Sequence, residues 1–181
     1  MPQTPSTMIP LGTPMPPFSL PDPVGQTWSA SEGRTGTLVI FICNHCPFVI
    51  HVAATLQKIA EQCDASDIEM VCINSNDQEA YPADSAEKMI ETKKEFSWTF
   101  PYLMDESQEV AIAFNATCTP DIFLFDAKKK LFYRGQFDDS RPTSGESVGS
   151  DLLRAMKDLV DGNAPPDGQK PSIGCNIKWK A

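Results

Sequence analysis

Apolar positions along this chain keep two rhythms. Leu38-Val39-Ile40-Phe41-Ile42-Cys43 is unbroken, which predicts a central strand buried on both faces. Met70 to Ile73, inside Glu69 to Asn74, predicts a second, closed by the polar loop Asn74-Ser75-Asn76-Asp77. Between them Val49, Val52, Ala53, Leu56, Ile59, Ala60 and Cys63 recur every three or four residues, the spacing of a helix with one buried face. Pro47 suits that helix's first turn, where a missing amide hydrogen costs no intrahelical bond. Asp84 or Ser85 can cap a helix running to about Phe96, and Tyr102-Leu103-Met104 follows as an extended segment. A short helix is expected around Glu109 to Phe114. Ile122 to Phe125 and Leu131 to Tyr133, joined by a turn at Asp126 to Lys129, predict a β-hairpin. Val148, Leu152, Leu153, Met156, Leu159 and Val160 set out a last helix that Gly162 stops.

This succession predicts an α/β fold with a central mixed sheet flanked by helices. Residues 1–17 carry six prolines and read as an N-terminal arm. Phe18 to Leu20 and Thr27 to Trp28, around Asp22-Pro23-Val24-Gly25, read as a small N-terminal hairpin laid on the domain. The main domain is placed at 18–161. Residues 162–181 form a C-terminal extension that Ile173, Ile177 and Trp179 are suited to dock.

Composition narrows the class. With 181 residues and 41% apolar content the chain can build one core, and its formal charge of −9 disfavours phosphate backbones and anionic membrane surfaces as partners. The longest apolar run is far short of the roughly 18 residues of a membrane span. No secretory leader is readable after Met1, so a cytoplasmic location is expected. Six cysteines are too few and too uneven for a disulfide-dense scaffold, and in a reducing compartment a close pair points to catalysis or metal binding.

Cys43-Asn44-His45-Cys46-Pro47 supplies such a pair at a strand-to-helix turn. Two cysteines at this spacing can close a small disulfide ring, and amide hydrogens left unpaired at a helix N-terminus stabilise a thiolate. Two competing readings are a pair of core thiols and half of a zinc site completed by Cys118 and Cys175. Within the motif, His45 is either an imidazolium that favours the thiolate or a solvated turn residue. Cys63 and Cys72 sit in apolar runs and are expected in the core, as are Trp28, Trp98 and Trp179 in large part; His51 is given no catalytic role. No haem, flavin, nicotinamide or phosphate-loop motif is present, so no cofactor and no metal are expected.

The strand, the CxxC turn and the helix, followed by Cys118-Thr119-Pro120 before a hairpin, resemble the thioredoxin fold and its cis-proline loop over about residues 18 to 161. Phe41 to Val49, Asn74 to Asp77, Cys118 to Asp121, Phe137 to Pro142, Ser172 to Cys175 and Ile177 to Lys180 together resemble the peroxiredoxin-like redoxin branch, related to the alkyl hydroperoxide reductase and thiol-specific antioxidant group. That resemblance implies a cis peptide bond at Pro120 and a Thr119 that faces the dithiol and offers its main chain to substrate. The motif departs from both relatives. Ile42 stands where thioredoxins carry Trp, and Val39 and Cys43 stand where peroxiredoxins carry Pro and Thr.

Two mechanisms follow as expectations. In the first, a thiol–disulfide oxidoreductase, Cys43 attacks a protein or small-molecule disulfide and Cys46 resolves the mixed disulfide, after which an external thiol reductant such as a thioredoxin-type protein resets the pair. In the second, a thiol peroxidase, Cys46 attacks a hydroperoxide and Cys43, Cys118 or Cys175 resolves the sulfenic acid, with Arg141 as an electrostatic helper or merely an ion-pair partner of Asp138 and Asp139. A third reading makes the dithiol a non-enzymatic redox sensor whose disulfide alters a partner-binding surface.

Overall fold

The computed structural model describes residues 3–181; Met1 and Pro2, the first two residues of the expected arm, lie outside them. In chain order the elements are β1 (Gln3–Pro5), β2 (Ser19–Pro21), β3 (Thr27–Ser29), β4 (Gly36–Phe41), α1 (Pro47–Ala65), β5 (Ile68–Asn74), α2 (Ala86–Glu95), β6 (Tyr102–Met104), α3 (Glu109–Phe114), β7 (Cys118–Thr119), β8 (Asp121–Asp126), β9 (Leu131–Tyr133), α4 (Ser150–Val160) and β10 (Ile173–Asn176). A 3-10 turn at Pro82–Asp84 leads into α2.

Five strands form the central sheet in the order β6-β5-β4-β8-β9. β4 pairs parallel with β5 and antiparallel with β8, so the chain's most apolar run lies at the centre. Alternate residues of β4 serve opposite faces. Leu38 and Ile40 join α1 and α4 in one buried cluster, through Leu56, Ile59, Leu152 and Met156. Val39 and Phe41 join α3 and the β2–β3 hairpin in the other, through Phe114, Phe123, Leu20 and Ile177. This is the expected mixed sheet with helices on both faces.

Local signals act as anticipated at most boundaries. Pro47 begins α1 directly after Cys46, the residue that caps it, and Ser85 caps α2 by accepting the Lys88 amide at 3.3 Å. Val148 shares the period of α4, yet it is exposed and precedes the helix, because the left-handed Gly149 turns the chain there.

Arm and tail are built into the domain. β10 lies between β1 and β7 in a three-stranded sheet, with Gln3 opposite Cys175 on one side and Thr119 opposite Cys175 on the other. Pro14 bridges to Lys130, which ties the rest of the arm to the β8–β9 turn. No helix of the described residues is long and apolar enough to cross a membrane.

Candidate active site

The parallel strands β4 and β5 deliver their loops to one end of the sheet, and the CxxC turn forms there. The Ile42 amide still bonds to the Ile73 carbonyl at 2.9 Å, so the chain leaves the sheet only at Cys43. Asn44 then fixes the turn. Its main-chain amide donates to Asp84 Oδ1 at 2.7 Å, its side-chain nitrogen donates to the Ala83 carbonyl at 3.0 Å, and its side-chain oxygen accepts from Tyr102 Oη at 2.8 Å. Cys46 enters α1 with its carbonyl accepting from the Val49 and Ile50 amides.

All six cysteines are free and buried. Cys43 and Cys46 both meet Thr119, which precedes a cis peptide bond to Pro120. Cys43 Sγ lies 3.5 Å from Thr119 Oγ1, and Cys46 Sγ lies 3.2 Å from the Thr119 carbonyl oxygen, to which it donates when protonated. The structure thus brings Cys43, Cys46, Thr119 and Pro120 together. It also fills the edge expected to receive substrate, because β10 occupies the main-chain side of Thr119.

The two thiols titrate as a pair. Cys46 is drawn down to about 5 by the Cys43 thiol hydrogen; burial opposes this, and Cys175, Thr119 and the Val49 amide reinforce it. Cys43 is pushed well up by donating to Cys46, by burial, and by the negative charge of Asp84. The first proton therefore leaves easily and the second with difficulty, and the resting charge sits on Cys46. Moving the remaining proton to Cys46 transfers the charge to Cys43, where Thr119 Oγ1 can donate to it while Cys46 donates to the Thr119 carbonyl.

His45 Nδ1 stands 2.8 Å from Asp84 Oδ2, an ion-pair contact without hydrogen-bond alignment, and its ring stacks parallel to Tyr81. Asp84 is wholly buried and also accepts from Asn76 Nδ2 at 2.8 Å. Sequence reasoning treated this carboxylate only as a possible helix cap. The signal for a different role was that the adjacent Ser85 already suffices as the cap. Cys43, His45 and Asp84 offer three ligand atoms within 4.8 Å of one another, yet both Asp84 oxygens are already engaged by Asn44, Asn76 and His45.

The remaining candidates separate. Cys118 sits beside Thr119 on a strand and so faces the other way, bonding to the Pro120 carbonyl at 3.6 Å; burial and Asp121 push its thiol far up. Arg141 spends its guanidinium on Gln136 Oε1 and the Asp138 and Ser140 carbonyls rather than on a thiol. Its expected carboxylate partners have other bonds, since Asp138 accepts from the Ser140, Val148 and Gly149 amides and Asp139 pairs with Lys170. His51 bonds to Ser140 Oγ at 2.8 Å and ties α1 to this loop. Cys63, pushed up to about 12 by burial, and Cys72 belong to the core, whereas Trp179 is exposed. Cys175, by contrast, belongs to the same buried cluster as the dithiol.

Sequence reasoning also missed what holds the cis-proline loop. Asp121, next to Pro120, is gripped at both oxygens by the fully buried Arg134 and accepts from Ser6 Oγ and the Thr117 amide, each at 2.9 Å. The guanidinium carbon of Arg134 also stands 3.9 Å from the centre of the Phe123 ring.

With this geometry in view, residues 11–134 match the model of the AhpC/TSA family. The chain belongs to the AhpC/TSA family. Its fold is thioredoxin-like. Solved relatives of the same length include an uncharacterized conserved protein from Geobacillus kaustophilus, at 47% identity and TM-score 0.95 over 99% of this chain and 97% of that one. A hypothetical protein from Sinorhizobium meliloti 1021 shows 43% identity and TM-score 0.95 over 98% and 99%. A secreted disulfide oxidoreductase from Mycobacterium tuberculosis shares the fold at 16% identity and TM-score 0.60, over 77% and 94%. Curated proteins yield no match.

Proposed function

We propose that this family member is a thiol–disulfide oxidoreductase working through the Cys43/Cys46 dithiol. The observation that carries the reading is the placement of both sulfurs on Thr119, one against its hydroxyl and one against its carbonyl, in an environment that splits their acidities. In the proposed cycle Cys43 takes the charge by proton shift and attacks one sulfur of a substrate disulfide, and the other leaves as a thiolate. With Cys43 engaged, the departing thiolate takes the proton from Cys46, and the Cys46 thiolate, favoured by Cys175, Thr119 and the Val49 amide, attacks Cys43 and resolves the mixed disulfide. Reduced substrate departs, and a thiol reductant resets the Cys43–Cys46 disulfide.

The filled edge at Thr119 narrows the substrate class. An extended peptide has no free main chain there to pair with, so a low-molecular-weight disulfide, or one at the tip of a loop, fits better. Peroxide reduction by Cys46 is the competing reading, favoured by its lowered pKa, but the Arg141 guanidinium is spent on Gln136 and on the Asp138 and Ser140 carbonyls.

Oxidised glutathione is a suitable probe. Cys46→Ser should accumulate a stable glutathione adduct on Cys43, whereas the unaltered protein should not. An adduct on another cysteine rejects the assigned roles, and rapid stoichiometric consumption of hydrogen peroxide by the reduced protein would move the assignment to the peroxidase.

A further inference from the structure

β10 lies along Thr119 as a bound chain would, antiparallel and with a cysteine directly opposite. Residues opposite each other in an antiparallel ladder project to the same face. Thr119 turns its hydroxyl to Cys43, so Cys175 is directed to the dithiol side, while Cys118 and its partner Asn176 point away. The approach is close because residue 174 is glycine: a Cβ there would stand 2.0 Å from the Thr119 carbonyl oxygen. That same oxygen receives the Cys46 thiol at 3.2 Å. Cys175 is 5% exposed, so any sulfur partner it has must come from inside the site.

We propose that Cys175 is a third redox thiol, which takes Cys46 from the Cys43–Cys46 disulfide and holds the oxidising equivalent as a buried Cys46–Cys175 disulfide. The proposal rests on the dithiol reading above. In the step, Cys175 gives up its proton and its sulfur attacks Cys46 Sγ. The Cys43–Cys46 bond breaks, and Cys43 leaves with the electron pair and takes up the proton. One S–S bond forms and one breaks, no electrons enter or leave, and no further oxidant is needed. In the reduced site burial and the neighbouring Cys46 push the Cys175 thiol up to about 12; once Cys46 is bonded to Cys43 its charge is gone, and Lys178 still favours the Cys175 thiolate.

The exchange relocates the disulfide from the strand-to-helix turn to the joint between α1 and β10. Cys43 becomes a free thiol again while the protein as a whole stays oxidised by two electrons. The C-terminal strand is then fastened to the helix that carries the dithiol, so the oxidised molecule has its tail locked.

Cys43→Ser isolates the new pair. After one equivalent of diamide, acid quench, denaturation and alkylation, two of its five remaining cysteines should escape alkylation, and a non-reducing digest should join the peptides of Cys46 and Cys175 in more than half of the molecules. Five alkylated cysteines, or Cys46 joined to anything else, overturns the proposal. In the unaltered protein, oxidation should yield Cys46–Cys175 beside Cys43–Cys46. Cys175→Ser should remove the first and keep the second, and finding only Cys43–Cys46 also overturns it. A glutathione trap on Cys43 without any Cys46–Cys175 peptide would sink this inference and leave the dithiol reading standing, whereas the reverse result would sink the dithiol reading.

Discussion

A single proton shared between two sulfurs sets the chemistry at the residue scale. Because Cys46 is drawn down to about 5 while Cys43 is pushed well up, the reduced site holds one proton across the neutral range. Reducing the disulfide then takes up one proton per two electrons. The midpoint potential should fall by about 30 mV per pH unit between about pH 6 and pH 8, half the ~59 mV of a couple that binds two protons. Potentials measured against glutathione buffers test this, and the steeper slope would show both thiols protonated. The same depressed pKa, relative to ~8.5 for an ordinary thiol, stabilises the reduced fold. That contribution is fully present above the ordinary thiol value and is lost as pH falls through about 5. The residues behind the splitting were unequally readable. Cys43 and Cys46 announce themselves by spacing. Asp84 does not, since an isolated aspartate before a helix carries the same local signal whether it caps the helix or is buried beside a thiol.

At the scale of elements, the site is a joint between a strand-to-helix turn and a strand from the far end of the chain. Gly174 makes that joint possible. Gly174→Ala would drive a methyl group into the main-chain carbonyl of Thr119, and should cost about 1–3 kcal/mol, read as a lower midpoint in urea. An unchanged midpoint would show that β10 has room to shift. The long elements were legible because each repeats its own period: β4 is apolar throughout and α1 keeps its three- and four-residue spacing over 19 residues. β1, β7 and β10 were not. Strands of two to four residues, one of them holding a proline, are too short to show alternation, and their stability comes from each other rather than from their own composition. The tail's apolar residues were visible, but not the partner they meet.

Across the whole molecule, long-range contacts decide where the site stands. Arg134 and Asp121 form a fully buried ion pair that fastens the cis-proline loop to the end of β9, with Thr7 of the arm accepting from Arg134 Nε at 3.1 Å. Arg134→Met leaves Asp121 charged in the interior with only Ser6 and the Thr117 amide, and should lose about 3–5 kcal/mol in denaturant unfolding. Adding Asp121→Asn should recover part of that loss, because it removes the stranded charge; no recovery would mean that packing against Phe123, rather than charge, supplies the stability. No sequence pattern marks such a pair, as its members are 13 positions apart in otherwise ordinary hairpin text. The sheet β1-β10-β7 has one more consequence, which concerns the order of synthesis. A ribosome makes Cys43 and Cys46 early and Gly174 and Cys175 more than a hundred residues later. The dithiol and its helix can therefore form while the chain is still being made, but the strand that covers Thr119 cannot seat before Asn176 has been added. Until then the nascent protein carries a dithiol beside an open edge at Thr119, along which another extended chain can lie where its own tail will go.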